Sequence, residues 1–389
     1  MVRIVDVRER TVSIRSEIQN AWISFREMDT SLVAVISDVV RDGRPVVGFG
    51  FGSNGRYSQG GLLRDRFVPR LLGADPADYA TGDDLSIDPE RAWSIVMRNE
   101  KPGGHGERSV AVGVLDMALW DLAAKLQGVP LVRMLSDRYG DGRPDDNVFV
   151  YAAGGYYTPG RPIADLQDEM RRYLDAGYTH VKLKIGLATL ADDIRRIEAV
   201  IAVVGAADHV AVDANARFDV ATAVAYATAL EPLGLWWYEE PVDPLDYEGL
   251  RQVREAYGGR VATGENLFSM TDARNLLRHG GLDPARDVIQ VDPSLSYGVV
   301  EFARLLPELA AHGWSTRRCI PHGGHQLSLH LAAALHLGGN ESYPRVFQPI
   351  GGFADGSSPE NGYMAVGEAI GIGIEHKAAL YAECRHLVG

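Results

Sequence analysis

Seven strand-like runs begin at residues 148, 180, 209, 236, 260, 287 and 318, so successive starts differ by 32, 29, 27, 24, 27 and 31 residues. They read VFVYAAGG, HVKLKIG, HVAVDANA, WWYEEP, RVATGENL, DVIQVDPS and RCIPHGG. Amphipathic stretches such as ADDIRRIEAVIAVVG and VATAVAYATALEPLG lie between them. One strand plus one helix, repeated at this interval, is the pattern of βαβ units and a parallel α/β sheet. Seven strands with a place nearby for an eighth favour closure into a barrel. An open doubly wound sheet is the architectural alternative.

Residues before about 130 follow a different pattern. IVDVRERTVSI, SLVAVISDVV and PVVGFGF suit an antiparallel meander. ERSVAVGVLDMALWDLAAKLQG suits a helix with Val110, Val114, Ala118 and Leu122 on one apolar face and Gly128 and Pro130 as stop signals. After about residue 350 the chain returns to Gly-rich, irregular pieces that are expected to fold back onto the N-terminal region.

The net charge of −13 argues against a nucleic-acid partner or adsorption to an anionic membrane, both of which need a basic face. No run of about 18 apolar residues is present, so no membrane span is expected. The first residues, MVRIVDVRERTVSI, are charged throughout and lack a secretory apolar core. With only two cysteines, Cys319 and Cys384, no disulfide framework is implied. A cytoplasmic enzyme with a small-molecule substrate is the expectation, as a homo-oligomer.

In a parallel barrel, chemistry gathers at the C-terminal ends of the strands. Those ends carry Lys182 and Lys184, Asp213 and Asn215, Glu239 and Glu240, Glu265 and Asn266, Asp292, and His322. Asp213, Glu239 and Glu265 are spaced 26 residues apart, about one repeat, so each tops a neighbouring strand. Three carboxylates converging in a partly dry site repel one another, and a divalent cation resolves the conflict. All-oxygen ligation suits Mg2+. Glu239 and Glu240 are adjacent, so only one can point inward, and alternation does not say which.

Lys182 and Lys184 share one face of their strand. Each ammonium disfavours protonation of the other, so one lysine is expected to have a lowered pKa and to serve as a base. His322 ends the seventh run, across the barrel, with Asp292 placed to orient its imidazole. His325, His330 and His336 suit packing or surface roles. Cys319 falls in an apolar strand body, which disfavours a catalytic thiol. GFGSNG matches G-x-G-x-x-G, but no helix follows directly, so a flexible lid is the better reading of this glycine-rich stretch. KPGGHGE, residues 101–107, reads as a second lid.

Lys182/Lys184, Asp213/Glu239/Glu265 and Asp292/His322, in this order, resemble the enolase superfamily and within it the mandelate racemase group. The resemblance implies a (β/α)7β barrel at 136–350 beneath an α+β capping domain made from 1–135 and completed by 351–389. It implies Glu239, the first of the EEP pair, as the metal ligand. SNGRYSQGGLLRDRF, NEKPGGHGERSVAVG, VYAAGGYY, RCIPHGGHQ and GGNESYP are similar to the branch that dehydrates D-tartrate. On that resemblance Lys184 removes a proton alpha to a carboxylate and Lys182 tunes it. His322, held by Asp292, protonates the departing hydroxyl, and the product is oxaloacetate. Asn54, Tyr57, Lys101, Asn215 and Glu341 are the expected substrate contacts. Another sugar-acid dehydratase, a racemase, or a non-catalytic metal-binding protein are the competing readings.

Overall fold

The computed structural model describes residues 1–83 and 85–388. β1 (Ile4–Ser13), β2 (Asp29–Arg41) and β3 (Arg44–Phe51) form an antiparallel sheet in that order. Asp42 and Gly43 join β2 to β3 with φ of 52° and 75°. Two left-handed residues in a two-residue loop match the right-handed twist of a hairpin, which is why Asp-Gly stands there.

The helix Glu107–Gln127 packs beneath this sheet. One apolar face is expected of it, yet it is buried nearly all round. The cause is that it is covered twice. A Cβ at Gly48 would collide with the Ala118 carbonyl and Leu122 amide, and one at Gly50 with the Val114 carbonyl. On the helix's other side a Cβ at Gly113 would collide with the Ser294 carbonyl of a barrel loop. Gly48 and Gly50 are therefore strand residues in backbone contact, which corrects the lid reading for that part of the stretch. Gly48→Ala is expected to cost about 3 kcal/mol by overpacking. A melting temperature equal to that of the unsubstituted protein would contradict it.

In the second layer β4 (Asn147–Gly154), β5 (Val181–Lys184), β6 (Val210–Asp213), β7 (Trp237–Glu239), β8 (Val261–Thr263) and β9 (Val288–Ile289) pair in sequence, and β10 (Asn340–Ser342) pairs with β4. The strands β4 to β10 are parallel. The seventh predicted run departs from expectation. Thr316–Arg318 is a 3-10 turn and only Cys319 bridges Ile289. Ile320 N–H still donates to the Ile289 carbonyl at 2.9 Å, and Gly338 N–H to the Cys319 carbonyl at 2.8 Å. This segment fills the gap between β9 and β10 and closes the ring. The architecture is a parallel barrel under a mixed α/β cap, as the sequence predicts.

The tail serves both layers. β11 (Tyr363–Ala365) pairs antiparallel with the start of β4. The helix Ala378–Arg385 returns to the first sheet, where Tyr381 meets Phe49 edge-on and Glu383 pairs with Arg10 at 3.1 Å. Among the described residues no helix is long and apolar enough to cross a membrane.

His330 is buried in the helix Gln326–Ala334, where its Nδ1 accepts from Val132 N–H at 3.0 Å. Burial holds its imidazole down at about 4. It is neutral when folded and titrates near 6.5 when unfolded. Its contribution to stability is therefore complete above pH 6.5 and is lost as pH falls toward 4, a swing of about 3 kcal/mol. His330→Gln is expected to flatten the acid limb of a pH–melting curve. A curve parallel to that of the unsubstituted protein would refute this assignment.

Candidate active site

Strand register sets the site. Lys184 pairs with Asp213 across β5–β6, and Asp213 with Glu239 across β6–β7, so three functional side chains share one level. Arg196 fixes the end of β5 by donating to the Lys184 and Gly155 carbonyls, each at 2.8 Å, with its guanidinium 3.9 Å over the Tyr157 ring.

Asp213, Glu239 and Glu265 each present a carboxylate oxygen within 4.8 Å of the others. Glu239 is the inward member of its pair. Trp237 Nε1 and Gln290 Nε2 donate to its Oε2 at 2.7 and 2.9 Å. Glu240 has φ 39° and turns away, its two oxygens accepting from Asn266 Nδ2 at 2.9 and 3.1 Å. Burial and the neighbouring carboxylates push Glu240 well above the usual carboxylate range.

Lys182 is completely buried. Its Nζ binds Glu239 Oε1, Glu341 Oε1 at 2.8 Å and Asp213 Oδ2 at 3.5 Å. Lys184 Nζ binds Asp213 Oδ2 and lines a cavity of about 740 Å3. The expected lowering of a lysine pKa is reversed in this charge state. Burial opposes protonation, but Glu239 and Glu341 outweigh it at Lys182, and Asp213 does so at Lys184. Both ammonium groups are held above their ordinary range.

His322 Nδ1 meets Asp292 Oδ2 at 2.7 Å and its Nε2 meets the Tyr343 hydroxyl at 3.0 Å. Burial works against its charge. Glu265 and Glu341, each 3.7 Å away, and Asp292 prevail and bring the imidazole up to about 10. His322 is therefore protonated at neutral pH. Around the ring it is separated from β5 by β10 and β4 on one side and by β6 to β9 on the other.

The chain's own charges show what the cluster can hold. Five carboxyl groups (Asp213, Glu239, Glu265, Asp292 and Glu341) face three basic groups (Lys182, Lys184 and protonated His322). Carboxyl groups outnumber cations here, an imbalance that a divalent cation offsets. The donor set is all oxygen, and Glu265 Oε2 has no hydrogen-bond partner among the described residues. Asp213, Glu239 and Glu265 therefore fit a hard divalent ion.

The expected substrate contacts divide. Asn54 and Asn215 line the cavity, and each has a buried amide oxygen without a partner among the described residues. Tyr57 is half exposed and Lys101 is exposed, and neither lines the cavity. Glu341 lies off the cavity wall, with Lys182 on one oxygen and Gly323 N–H on the other at 3.2 Å. It is a charge partner of the lysine. The glycine-rich cap loop is also less free than a lid. Thr30 Oγ1 donates to the Gly52 carbonyl at 2.9 Å, and Ser53 N–H donates to Ser294 Oγ at 3.1 Å. Burial pushes the Cys319 thiol up to about 12, which leaves no nucleophile there.

Sequence reasoning missed Trp237, Gln290 and Tyr343. Each stands two residues from a named group (Glu239, Asp292 and Glu341), on the same face of its extended segment. The period that pairs Lys182 with Lys184 would have found them.

A family model described as "Enolase C-terminal domain-like" matches residues 165–380. L-talarate/galactarate dehydratase of Salmonella typhimurium is 31% identical over 313 residues, 79% of this chain and 72% of that protein. A 3,6-anhydro-alpha-L-galactonate cycloisomerase of Streptomyces coelicolor is 31% identical over 68% of this chain and 67% of its own. The structure of L-talarate dehydratase from Polaromonas sp. JS666, complexed with Mg and L-glucarate, superposes with a TM-score of 0.76 at 26% identity, covering 96% of this chain and 95% of that one. The chain belongs to the enolase superfamily, in its mandelate racemase/muconate lactonizing family.

Proposed function

We propose that this protein is a Mg2+-dependent dehydratase of a hydroxy diacid, converting D-tartrate to oxaloacetate and water. The observation that carries the reading is one cavity with Lys184 on one wall and a protonated His322 on another, above three convergent carboxylates. The dehydratase among the relatives and the Mg bound in the Polaromonas structure support it. Asp213, Glu239 and Glu265 would hold Mg2+, which supplies Lewis-acid stabilisation for charge developing on the substrate carboxylate.

The remaining work belongs to side chains. Lys184 Nζ takes the proton alpha to the carboxylate. Its grip on its own proton comes from Asp213. Burial and the Lys182 ammonium favour the free amine, and engaging the charge of Asp213 with a ligand removes the largest influence opposing them, with Tyr156 and Glu265 the lesser ones. The electron pair left on the alpha carbon forms the double bond and expels the beta hydroxyl. His322 Nε2 supplies the proton with which that hydroxyl leaves as water, and Asp292 keeps the imidazole oriented. The enol then tautomerises to the 2-keto acid. Asn54 and Asn215 receive substrate hydroxyls on their unpartnered amide oxygens. In this reading the region 1–135 reads the substrate and the barrel at 136–350 performs the chemistry.

The test is a screen of acid sugars, including all three tartrates, for 2-keto acid formation with Mg2+. D-Tartrate is expected to give oxaloacetate. The cycloisomerase relative favours a second reading, proton transfer without loss of water. Solvent deuterium entering recovered acid with no keto acid formed would select it. No product from any acid would overturn both.

A further inference from the structure

A diacid has a second carboxylate, and the cavity must answer its charge. Among the described residues, Arg56 and Lys184 are the only arginine or lysine side chains on the wall. Lys184 is engaged with Asp213. Arg56 follows Gly55, which has φ 91°, in the cap loop after β3. Among the described residues no carboxylate lies within ion-pair distance of Arg56. Its neighbours in the cap differ. Arg66, Arg70 and Arg108 share Glu100, and Arg64 takes Glu9.

Arg56 is nonetheless held in place. Its Nη2 donates to Asn266 Oδ1 at 2.9 Å, and its guanidinium lies 4.5 Å from the centre of the Phe268 ring. Asn266 cannot turn freely, because its Nδ2 is committed to both oxygens of Glu240. Asn266 Oδ1 therefore faces Arg56. Glu240 directly follows β7, so a cap arginine is aimed by a chain of contacts rooted beside the metal-fitting acids. One of the five donors of the guanidinium is spent on Asn266, and its planar fork is otherwise free of carboxylates.

We infer that Arg56 pairs with the substrate carboxylate remote from the reacting carbon and thereby selects diacids over monoacids of the same length. This rests on the diacid reading above. A fork already oriented and stacked gives up little freedom on binding a carboxylate through two parallel hydrogen bonds. A monoacid would leave that guanidinium unanswered on the cavity wall, the arrangement by which a site built to bond a group rejects a substrate lacking it.

The experiment compares a diacid that the unsubstituted protein dehydrates, D-tartrate or galactarate, with the monoacid of equal carbon number, threonate or galactonate, in the presence of Mg2+. Arg56→Gln is expected to lower kcat/KM for the diacid about 100-fold and to leave the monoacid unchanged or improved. Arg56→Lys, which keeps the charge without the fork, should fall between. An equal loss for both acids, or an undiminished preference for the diacid, would overturn the role of Arg56 while leaving the dehydratase reading intact. If the unsubstituted protein dehydrates monoacids only, the diacid reading falls and the role of Arg56 falls with it. Calorimetric binding of D-tartrate with Mg2+ reads the same residue without turnover. A dissociation constant unchanged by Arg56→Gln would also overturn the inference.

Discussion

Lys184→Ala and His322→Asn should each lower kcat by about 10³-fold or more while leaving the fold and Mg2+ binding in place. The two side chains act on opposite sides of one event. Without Lys184 no group described on the cavity wall is placed to receive the alpha proton. Without the imidazolium the hydroxyl must leave as hydroxide. Neither residue belongs to the three-acid cluster, so metal affinity separates a chemical defect from a structural one. Isotope exchange separates the two variants from each other. His322→Asn should still exchange the alpha proton with solvent deuterium, because Lys184 remains, whereas Lys184→Ala should not. Ordinary turnover in either variant would remove that residue from the mechanism.

Chelation should abolish turnover, and Mg2+ should restore it. The effect on stability should be comparably plain. Burial raises the Glu239 carboxyl to about 8, with Lys182 opposing and Asp213 and Glu265 reinforcing the rise. A cluster of acids that force one another's pKa upward is a liability of the fold that a bound dication relieves. Binding to the folded form alone at a hundred times the dissociation constant adds about 2.7 kcal/mol of stability. Melting temperature should therefore climb with Mg2+ in the native protein and stay level in Glu239→Gln. Turnover indifferent to a chelator would sink the metal role.

Much of the barrel is legible because its grammar is periodic. A strand every few tens of residues implies the parallel sheet, and alternation places Lys182 and Lys184 on one face. The acids at 213, 239 and 265 follow from the same interval. Two things escape. Lys101 and Tyr57 sit in cap loops, which have no period to say where a side chain points, and nothing in the same region singles out Arg56. The expected lysine pKa fails because it weighs only the mutual repulsion of the pair. Asp213, Glu239 and Glu341, on other strands, pull the other way and more strongly. RCIPHGG keeps its place in the ring but not its strand geometry, since one bridge to Ile289 suffices to hold it there.

The helix Glu107–Gln127 touches glycine backbone above and the Ser294 loop below at its own Gly113. Such contacts are short and leave no lubricating side chains between the layers. Cap and barrel meet backbone to backbone where Gly113 faces Ser294. A swing of the whole cap would have to part backbone from backbone at Gly113 and Ser294. Traffic through the active-site mouth therefore falls to small local pieces. Trp22, 61% exposed with Arg217 stacked 4.7 Å over its ring, and the glycines at 103 and 104 stand at that doorway. Turnover should consequently be limited by motions of a few residues rather than by the opening of domains.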